Sequence, residues 1–455
     1  MDFPPSAQTT RAFWPPKPLW LILGVTLAAS LQLWCMTSLY SVNILFSDQW
    51  DLYDAFMNDA GWWEVFRWQH GPHRQGLAFL ITEAVLRASG WNTRYESFLA
   101  CLTLIAAAPL AVWLKWRLSG NLKYTDAAIP LMILTPLQWG VLFVVPNLSH
   151  GAFPLLLAVC YALSWSVSRP MLRMGLVLLC NVLLIYSGFG LFMGGVTIIL
   201  LGMDTLRVLR GRARGELFLN LTGLAVAAVC LAGFFVDYRF MPAVSDFRFP
   251  APNWHLYPVY MALMVGKFFG AAGTGIVPSI AGSVALLGMI GIAVRNLLIL
   301  VRSPEEDQRS FSRIVLALIA YTLAFALFSA IGRISMGLGR AQCSNYLPYV
   351  ATGVLGVFLD SCGWPLKWGR AFRVAVLCCL GLITVAAWPY SHKELARYRI
   401  GKSAWAMIYK RTHDVALTNR LAKFEIYPPS GAARIKRKLD YLERRGLNLF
   451  HDLKP

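Results

Sequence analysis

The chain has 455 residues, of which 57% are hydrophobic and 14% are charged, whereas soluble domains carry about 45–50% and about 25%. A soluble protein of this length could not bury so much apolar surface, and the composition also excludes disorder, coiled coils and collagen. The net charge is +19, from 42 Lys and Arg against 23 Asp and Glu. A polytopic membrane protein with basic loops explains these numbers better than a nucleic-acid-binding protein does.

Eleven segments are predicted to form transmembrane helices of an all-α bundle, because a spanning helix needs roughly 20 mostly apolar residues. They are residues 19–40, 95–114, 125–146, 151–168, 171–187, 189–206, 216–236, 278–301, 311–332, 346–361 and 371–389. The segment 258–272 is also apolar, but it contains Lys267 and a Gly-rich exit. We interpret it as a re-entrant or interfacial helix that lines a cavity, with a full span as the alternative.

The basic residues of the short loops predict the orientation in the membrane. They cluster at 115–123, 169–173, 207–214 and 367–373, and all four clusters lie on the cytoplasmic side if the N-terminus does. Eleven spans then place the C-terminus outside. We therefore predict a transmembrane domain over residues 1–389 and a small, basic, mainly helical external appendage over 390–455. A helix of this appendage is expected to end at Gly446.

Residues 41–94 form a long first external loop of the transmembrane domain. Apolar residues recur at helical spacing in 51–68 and in 75–88, which predicts two amphipathic helices on the membrane surface. The many tryptophans of this loop are most simply interfacial anchors. Trp50, with His70, is the candidate for stacking on a sugar of the acceptor.

Two short polar strings in this loop are candidates for chemistry. Asp48 and Asp51 come just after the first span, where a carboxylate can accept a proton from a hydroxyl nucleophile. About twenty residues later come His73 and Arg74, and a guanidinium can hold a phosphate with a bidentate fork. From spacing alone, a solvated loop with a surface His-Arg pair is an equally good interpretation.

A third string joins the ninth and tenth predicted spans on the same external side. Arg333 and Arg340 lie seven residues apart in a Gly-rich turn that runs on to Tyr346. Glycines allow backbone N–H groups to approach an anion, so the string is typical of an anion site. The alternative is that both arginines extend to the membrane surface.

The three strings together resemble the GT-C superfamily of membrane glycosyltransferases, in particular a set of bacterial GT-C-like proteins. Members of this set carry Asp-Asp-Trp after the first span, Asn-Glu-His-Arg later in the loop and Ser-Arg-Tyr near the last spans. Here the corresponding strings are Asp48-Gln49-Trp50, Gly71-Pro72-His73-Arg74 and Ser344-Asn345-Tyr346. The second acid and one arginine of the pattern are therefore missing. The end of the chain, Leu447-Asn448-Leu449-Phe450, also resembles the set.

The resemblance implies an inverting transferase in a bacterial inner membrane, acting on its external face in cell-envelope glycan synthesis. The donor would be a polyprenyl-phosphate sugar that enters from the bilayer, and the acceptor a glycan, lipid or protein. Asp48, or else Asp51, would be the base. The phosphate would be held by a set of cations and polar groups: His73, Arg74, Lys267, Arg333, Arg340 and Tyr346. A divalent cation such as Mg²⁺ or Mn²⁺ stays optional, because two aspartates alone make a poor metal cage.

Other functions remain open at the level of the sequence. A transporter or flippase usually carries ionisable residues near the bilayer midplane and internal repeats; here the acids lie at one external edge, although glycines at 188–195 resemble a broken transporter helix. A glycan polymerase or ligase would use the same arginines with a large late loop. A non-catalytic scaffold gives no reason for the His-Arg strings to share one side.

Overall fold

The computed structural model describes residues 17–211, 214–241, 247–428 and 431–453, and most of these are helical. Its elements, in chain order, are α1 (Lys17–Tyr40), α2 (Gln49–Leu52), α3 (Asp54–Met57), α4 (Trp62–Phe66), β1 (Gln69–His70), β2 (His73–Arg74), α5 (Gly76–Ala88), α6 (Thr93–Ser119), α7 (Ala128–Ile133), α8 (Ala152–Trp165), α9 (Pro170–Ile185), α10 (Leu191–Gly211), α11 (Arg214–Phe234), α12 (Tyr257–Phe268), α13 (Ile276–Arg302), α14 (Glu306–Arg333), α15 (Leu347–Asp360), α16 (Leu366–Thr412), α17 (Val415–Ala422) and α18 (Ala432–Arg445). The first residues of the predicted cytoplasmic N-terminus and part of the basic loop 207–214 lie outside the described ranges.

Within those ranges, seven helices are long and apolar enough to cross a membrane: α1, α6, α10, α11, α13, α14 and α16. Each begins within or next to a predicted span. The apolar helices α8 and α9 are shorter, with 14 and 16 residues. The chain is therefore an all-α multi-pass membrane protein by the length and composition of its helices, with seven of the eleven predicted spans supported individually.

The predicted span at 125–146 is not one helix. It consists of a 3-10 turn (Tyr124–Ala127), α7, a second 3-10 turn (Pro136–Gln138) and a π turn (Gly140–Val144). Pro136 explains the break, because proline lacks an N–H donor and disfavours helical backbone in the residue before it. The segment is buried against the Gly-rich turn, where the Gly140 N–H donates to Ser344 Oγ at 3.1 Å. Its apolar character therefore reflects burial in protein.

Helix α12 lies in the segment interpreted as re-entrant. Its 12 residues rise about 18 Å, against roughly 30 Å for a bilayer core. The chain then turns at Gly270 and Gly273, whose φ angles are +77° and +92°. The helix packs beneath the turn that follows α14, since Gln342 Nε2 donates to the Leu263 carbonyl at 2.9 Å. A short helix that contacts this turn agrees with the re-entrant interpretation.

The first loop differs in part from its prediction. Helix α5 matches the amphipathic helix predicted at 75–88. The helix predicted at 51–68 is instead split into α2, α3 and α4, and the β1–β2 hairpin follows it. Asp59, with φ of +52°, ends the second of these helical turns in backbone that interrupts a continuous helix.

The first loop and the C-terminal tail share one hydrophobic core. Its buried residues include Trp50, Tyr53, Phe56, Phe79 and Trp91 from the loop, and Trp405, Tyr409, Ile435, Leu439, Leu442 and Phe450 from the tail. Helix α16 runs without interruption through residue 390, where the domain boundary was predicted. The loop therefore packs with the appendage, and both lie on the same side of the membrane. Gly446 ends α18 with φ of +58°, as predicted.

Candidate functional site

The β1–β2 hairpin positions the two histidines of the first loop. His70 pairs with His73 across the hairpin, and Gly71 supplies the positive φ of its turn, +58°. The hairpin is held against the segment that follows α11, because Tyr238 donates its hydroxyl to the Pro72 carbonyl at 3.0 Å. His73 therefore has one fixed orientation, pointing into the protein.

His73 forms a buried pair with His150. The two Nε2 atoms face each other in a hydrogen bond, and the ring centroids are 4.1 Å apart. Both rings pack against Phe189, at 4.8 and 5.8 Å between centroids. Burial, reinforced by neighbouring positive groups that include Arg333, holds the pKa of His73 well below 6.5 and lowers that of His150 to about 3. Both imidazoles are therefore neutral at pH 7.

His150 was not among the residues singled out from the sequence. It ends a short turn that the first loop holds, with Gln49 Nε2 donating to the Pro146 carbonyl at 2.9 Å and Ser149 Oγ donating to the Gln75 carbonyl at 2.7 Å. The available signal was the polar string Asn147-Leu148-Ser149-His150 between two apolar runs. Such an interruption beside the membrane indicates a polar site as readily as a loop.

Arg333, the last residue of α14, lies next to the histidine pair. Its guanidinium carbon is 5.3 Å from the ring centroid of Phe189 and 5.6 Å from that of Tyr346. Its guanidinium makes no hydrogen bond or ion pair within the described part of the chain. Cation–π contacts of this kind contribute about 0.5–2 kcal/mol each and use none of the five N–H donors. The ring of Tyr346 therefore helps to orient Arg333, and the Tyr346 hydroxyl is buried without a hydrogen-bond partner among the described residues.

Arg340 and Lys267 extend the positive charge beyond Arg333. Gly337, with φ of +87°, turns the chain so that Arg340 is exposed without a side-chain hydrogen bond or ion pair to any described residue. Burial lowers the pKa of Arg340, but neighbouring groups, Asp48 among them, outweigh it and raise the pKa overall. Lys267 of α12 and Arg340 share Cys343 as an electrostatic neighbour. Three cations thus surround the Gly-rich turn.

Asp48 is the exposed carboxylate of this region. Within the described structure its side chain accepts a hydrogen bond from Ser47 Oγ at 3.2 Å and forms no ion pair. Burial lowers the pKa of His70, and Asp48 is the first of three acids that oppose this shift. Because Asp48 acts electrostatically on both His70 and Arg340, the acid of the first loop lies in the neighbourhood of Arg340.

Two predicted site residues have other partners. Asp51 is bound to the appendage: it pairs with Arg434 and accepts from the Tyr427 hydroxyl at 2.8 Å. Arg74 is only 3% exposed, and its guanidinium donates to the carbonyls of Phe234, Arg67 and Val236. The proposed base role of Asp51 and the phosphate role of Arg74 therefore do not fit their contacts, because both side chains stabilise the fold.

Trp50 does not fit its predicted role either. Its side chain is 0% exposed and lies in the core shared by the loop and the tail, so no sugar can stack on it. His70 is half-buried beside His73, with ring centroids 6.4 Å apart, and remains next to Asp48. Of the two residues predicted to contact the acceptor, only His70 lies in the candidate site.

The sequence left a divalent cation optional, and the described residues do not form a set of ligands for one. In the described ranges, no group of three or more His, Cys, Asp or Glu side chains is arranged to hold a metal ion. Asp51, the second carboxylate of the predicted cage, is already neutralised by Arg434. We therefore derive no step that passes through a metal.

Comparisons of the chain with models of protein families, with curated proteins and with solved structures give no match. The likeness to the GT-C superfamily therefore stays a prediction from the short strings of the sequence.

Proposed function

We propose that this protein is a GT-C-like glycosyltransferase of a bacterial inner membrane. It moves a sugar from a polyprenyl phosphate to an acceptor on the external side, in a bundle that crosses the membrane about eleven times. The single observation that carries this proposal is Arg333. Its guanidinium is fixed between two aromatic rings, lies close to further cations, and has all its N–H donors free of described partners.

A guanidinium whose N–H donors have no described partner is suited to bind an anion. The three cations near the Gly-rich turn, Lys267, Arg333 and Arg340, carry +3, and Asp48, which acts on Arg340, carries −1. The local net charge is therefore about +2 when the histidine pair is neutral. A sugar phosphodiester carries one negative charge, and the released lipid phosphate carries up to two. The site is therefore better matched to the leaving group than to the donor, which favours bond cleavage.

The surroundings of Arg333 also favour a lipid-borne substrate. Phe328, about one and a half turns before Arg333 on α14, is exposed and stacks on Phe192 of α10 at 4.9 Å between centroids. Met336, three residues after Arg333, is exposed as well. An isoprenoid chain lying along this apolar face would place its phosphate beside the guanidinium.

The proposed reaction uses Asp48 as the base. Asp48 takes the proton of the acceptor hydroxyl, and the hydroxyl oxygen forms a bond to the anomeric carbon of the sugar. The bond from that carbon to the phosphate oxygen breaks, and its electron pair stays on the phosphate that Arg333 and Arg340 hold. Because the attack comes from the face opposite the leaving group, the anomeric configuration is inverted.

The test is to offer the purified full chain a panel of polyprenyl-phosphate sugars and to measure the release of lipid phosphate. The proposal expects release with at least one sugar, lost in Asp48→Asn and retained in Asp51→Asn. Absence of release across the panel, with folded protein, would contradict it.

A transporter or flippase is the alternative, and one structural detail weakens it. The glycines that resembled a broken transporter helix begin at Gly188, in the turn between α9 and α10. There φ is +54°, and a Cβ would lie 2.4 Å from the Ser149 carbonyl oxygen. Local packing therefore accounts for Gly188. Movement of an intact lipid-linked sugar across vesicles, without cleavage, would favour the alternative.

A further inference from the structure

The strongly basic tail is the feature of the sequence that the proposed function leaves unexplained. Residues 390–455 carry 15 Lys and Arg against 6 Asp and Glu, a net +9 that is nearly half the charge of the chain. Basic residues on the external side run against the usual distribution in membrane proteins. Structural ion pairs account for part of this charge, and Lys402 is buried against the carbonyls of Phe143 and Val144. Other basic residues of the tail, Arg437 and Arg444 among them, are exposed.

The contacts of helix α18 show which of its basic side chains are already paired with the first loop. Arg434 and Lys438 are engaged with the first loop, through Asp51 and through Asp54 at 2.8 Å. Arg437 and Arg444 are exposed and make no hydrogen bond or ion pair with the residues that the structure describes. They are seven residues apart, two helical turns or about 10 Å, and therefore lie on one face.

The helix that carries this face adjoins the candidate site. Tyr427 precedes α18 and has Asp48 as an electrostatic neighbour. Its hydroxyl donates to Asp51, three residues after Asp48 in the first loop. Lys438 donates to the carbonyl of Trp50 in the same turn. Helix α18 thus packs on the same turn of the first loop that carries the exposed Asp48, so a ligand bound along α18 lies on the side of the protein where the proposed base is exposed.

The chemistry of the face indicates a soluble anion rather than a membrane. A helix bound to a membrane surface presents large apolar side chains to the lipid. In α18 those side chains, Ile435, Leu439 and Leu442, are buried in the core shared with the first loop, and none of the described residues of α18 is an exposed large hydrophobic. The outer face also carries the ion pair of Lys436 with Asp440. Within the described part of the helix, its unpaired groups are the guanidinium groups of Arg437 and Arg444, which suit carboxylates or phosphates.

We propose that Arg437 and Arg444 bind an anionic oligosaccharide acceptor and guide it to Asp48. This inference rests on the proposed function and names its acceptor class: a glycan that carries carboxylate or phosphate groups. Charged faces of this type raise association rates and make binding dependent on ionic strength.

The test compares ligands by binding to the purified full chain in neutral detergent, with uronic-acid oligosaccharides, neutral glucose oligosaccharides of equal length and dihexanoyl phosphatidylglycerol as probes. The variant is Arg437→Gln/Arg444→Gln. The control, Arg169→Gln/Arg302→Gln, removes the same charge from exposed positions at the other end of the bundle. We expect the variant to lose about tenfold in affinity for the uronic-acid probe at low salt, with the control and the neutral probe unchanged.

Equal affinity in the variant and the wild type would overturn the inference, as would tighter binding of the short-chain phospholipid than of the uronic-acid probe. The binding measurement needs no turnover, so it separates the two proposals. Salt-dependent binding without release of lipid phosphate from any donor would support the anion-binding face and contradict the glycosyltransferase. Turnover that is unchanged in Arg437→Gln/Arg444→Gln, together with unchanged binding, would support the glycosyltransferase and contradict the role of the two arginines.

Discussion

The hairpin of the first loop and the Gly-rich turn after α14 each present an arginine on the same side of the protein, and the two arginines differ in their contacts. Arg74 of the hairpin donates to three backbone carbonyls. Arg333 of the turn is held by two aromatic rings and bonds to no described group. Both were predicted from the sequence to hold a phosphate. The difference shows that free hydrogen-bonding capacity distinguishes a binding arginine from a structural one.

The same contrast separates the two aspartates, and it predicts the largest effect. Asp48→Asn removes the proposed base and should lower the turnover number about 10²–10⁴-fold, the usual range for general-base catalysis. Asp51→Asn is the matched control, because it removes a charge three residues away that is bound to Arg434. It should weaken the docking of the appendage and leave turnover within a few-fold. Turnover is measured by the release of lipid phosphate. Equal losses of turnover in Asp48→Asn and Asp51→Asn would contradict the different roles of the two aspartates.

Arg333→Gln should have the next largest effect. Loss of a preplaced cation from the leaving phosphate lowers kcat/KM by about 10²–10³-fold. The unfolding temperature should fall only modestly, because the variant loses two cation–π contacts but no described hydrogen bond. The measurements are steady-state kinetics and a thermal melt of the same preparation. A large fall in unfolding temperature with unchanged kinetics would assign Arg333 to the fold.

Arg74→Gln should show the opposite behaviour. Each buried carbonyl left without a donor costs about 1–3 kcal/mol, so we expect a clear fall in unfolding temperature. Arg67→Gln provides the comparison, since Arg67 forms an exposed ion pair with Asp237 at 2.9 Å and such pairs contribute about 0–1 kcal/mol. If the two variants melted at the same temperature, the structural role of Arg74 would be refuted.

The histidine pair predicts a smaller, pH-dependent effect. Burial places the pKa of His150 at about 3 and that of His73 well below 6.5 in the folded protein, so the unfolded chain binds more protons below pH 6.5. Stability should be pH-independent with respect to this pair above 6.5 and should fall as the pH drops from 6.5 towards 4. The slope is about 1.4 kcal/mol per pH unit for each histidine.

A series of thermal melts at different pH values measures this slope. His150→Gln should reduce it, and the exposed His255→Gln should not. An unchanged slope in His150→Gln would mean that this imidazole is not held neutral by burial.

The sequence predicted the parts of the fold that depend on local signals. It predicted α13 and α14 from their apolar length, α5 from its periodicity and the end of α18 from its glycine. It failed at 125–146, because apolar content does not distinguish a lipid-facing helix from irregular chain buried in protein, and Pro136 outweighed hydropathy. It also missed that the first loop packs with the tail, since contacts across some 350 residues leave no local pattern.

The candidate site shows the same limit. The spacing of the strings found Asp48, His73 and Arg333, but spacing could not show that Asp51 and Arg74 have structural partners or that His150 meets His73. Those facts depend on which backbone carbonyls and charges lie opposite each side chain. Residue type predicts what a group is able to bind, and tertiary contacts determine whether it is free to do so.

The most direct test of the account is a structure of the protein in a lipid bilayer with bound polyprenyl phosphate. The account predicts phosphate oxygens within about 2.7–2.9 Å of the guanidinium nitrogens of Arg333, with Arg340 adjacent and the isoprenoid chain along Phe328. Arg74 should keep its three carbonyl partners. A phosphate bound at Arg74, or at the opposite end of the bundle near Arg302, would contradict the central claim.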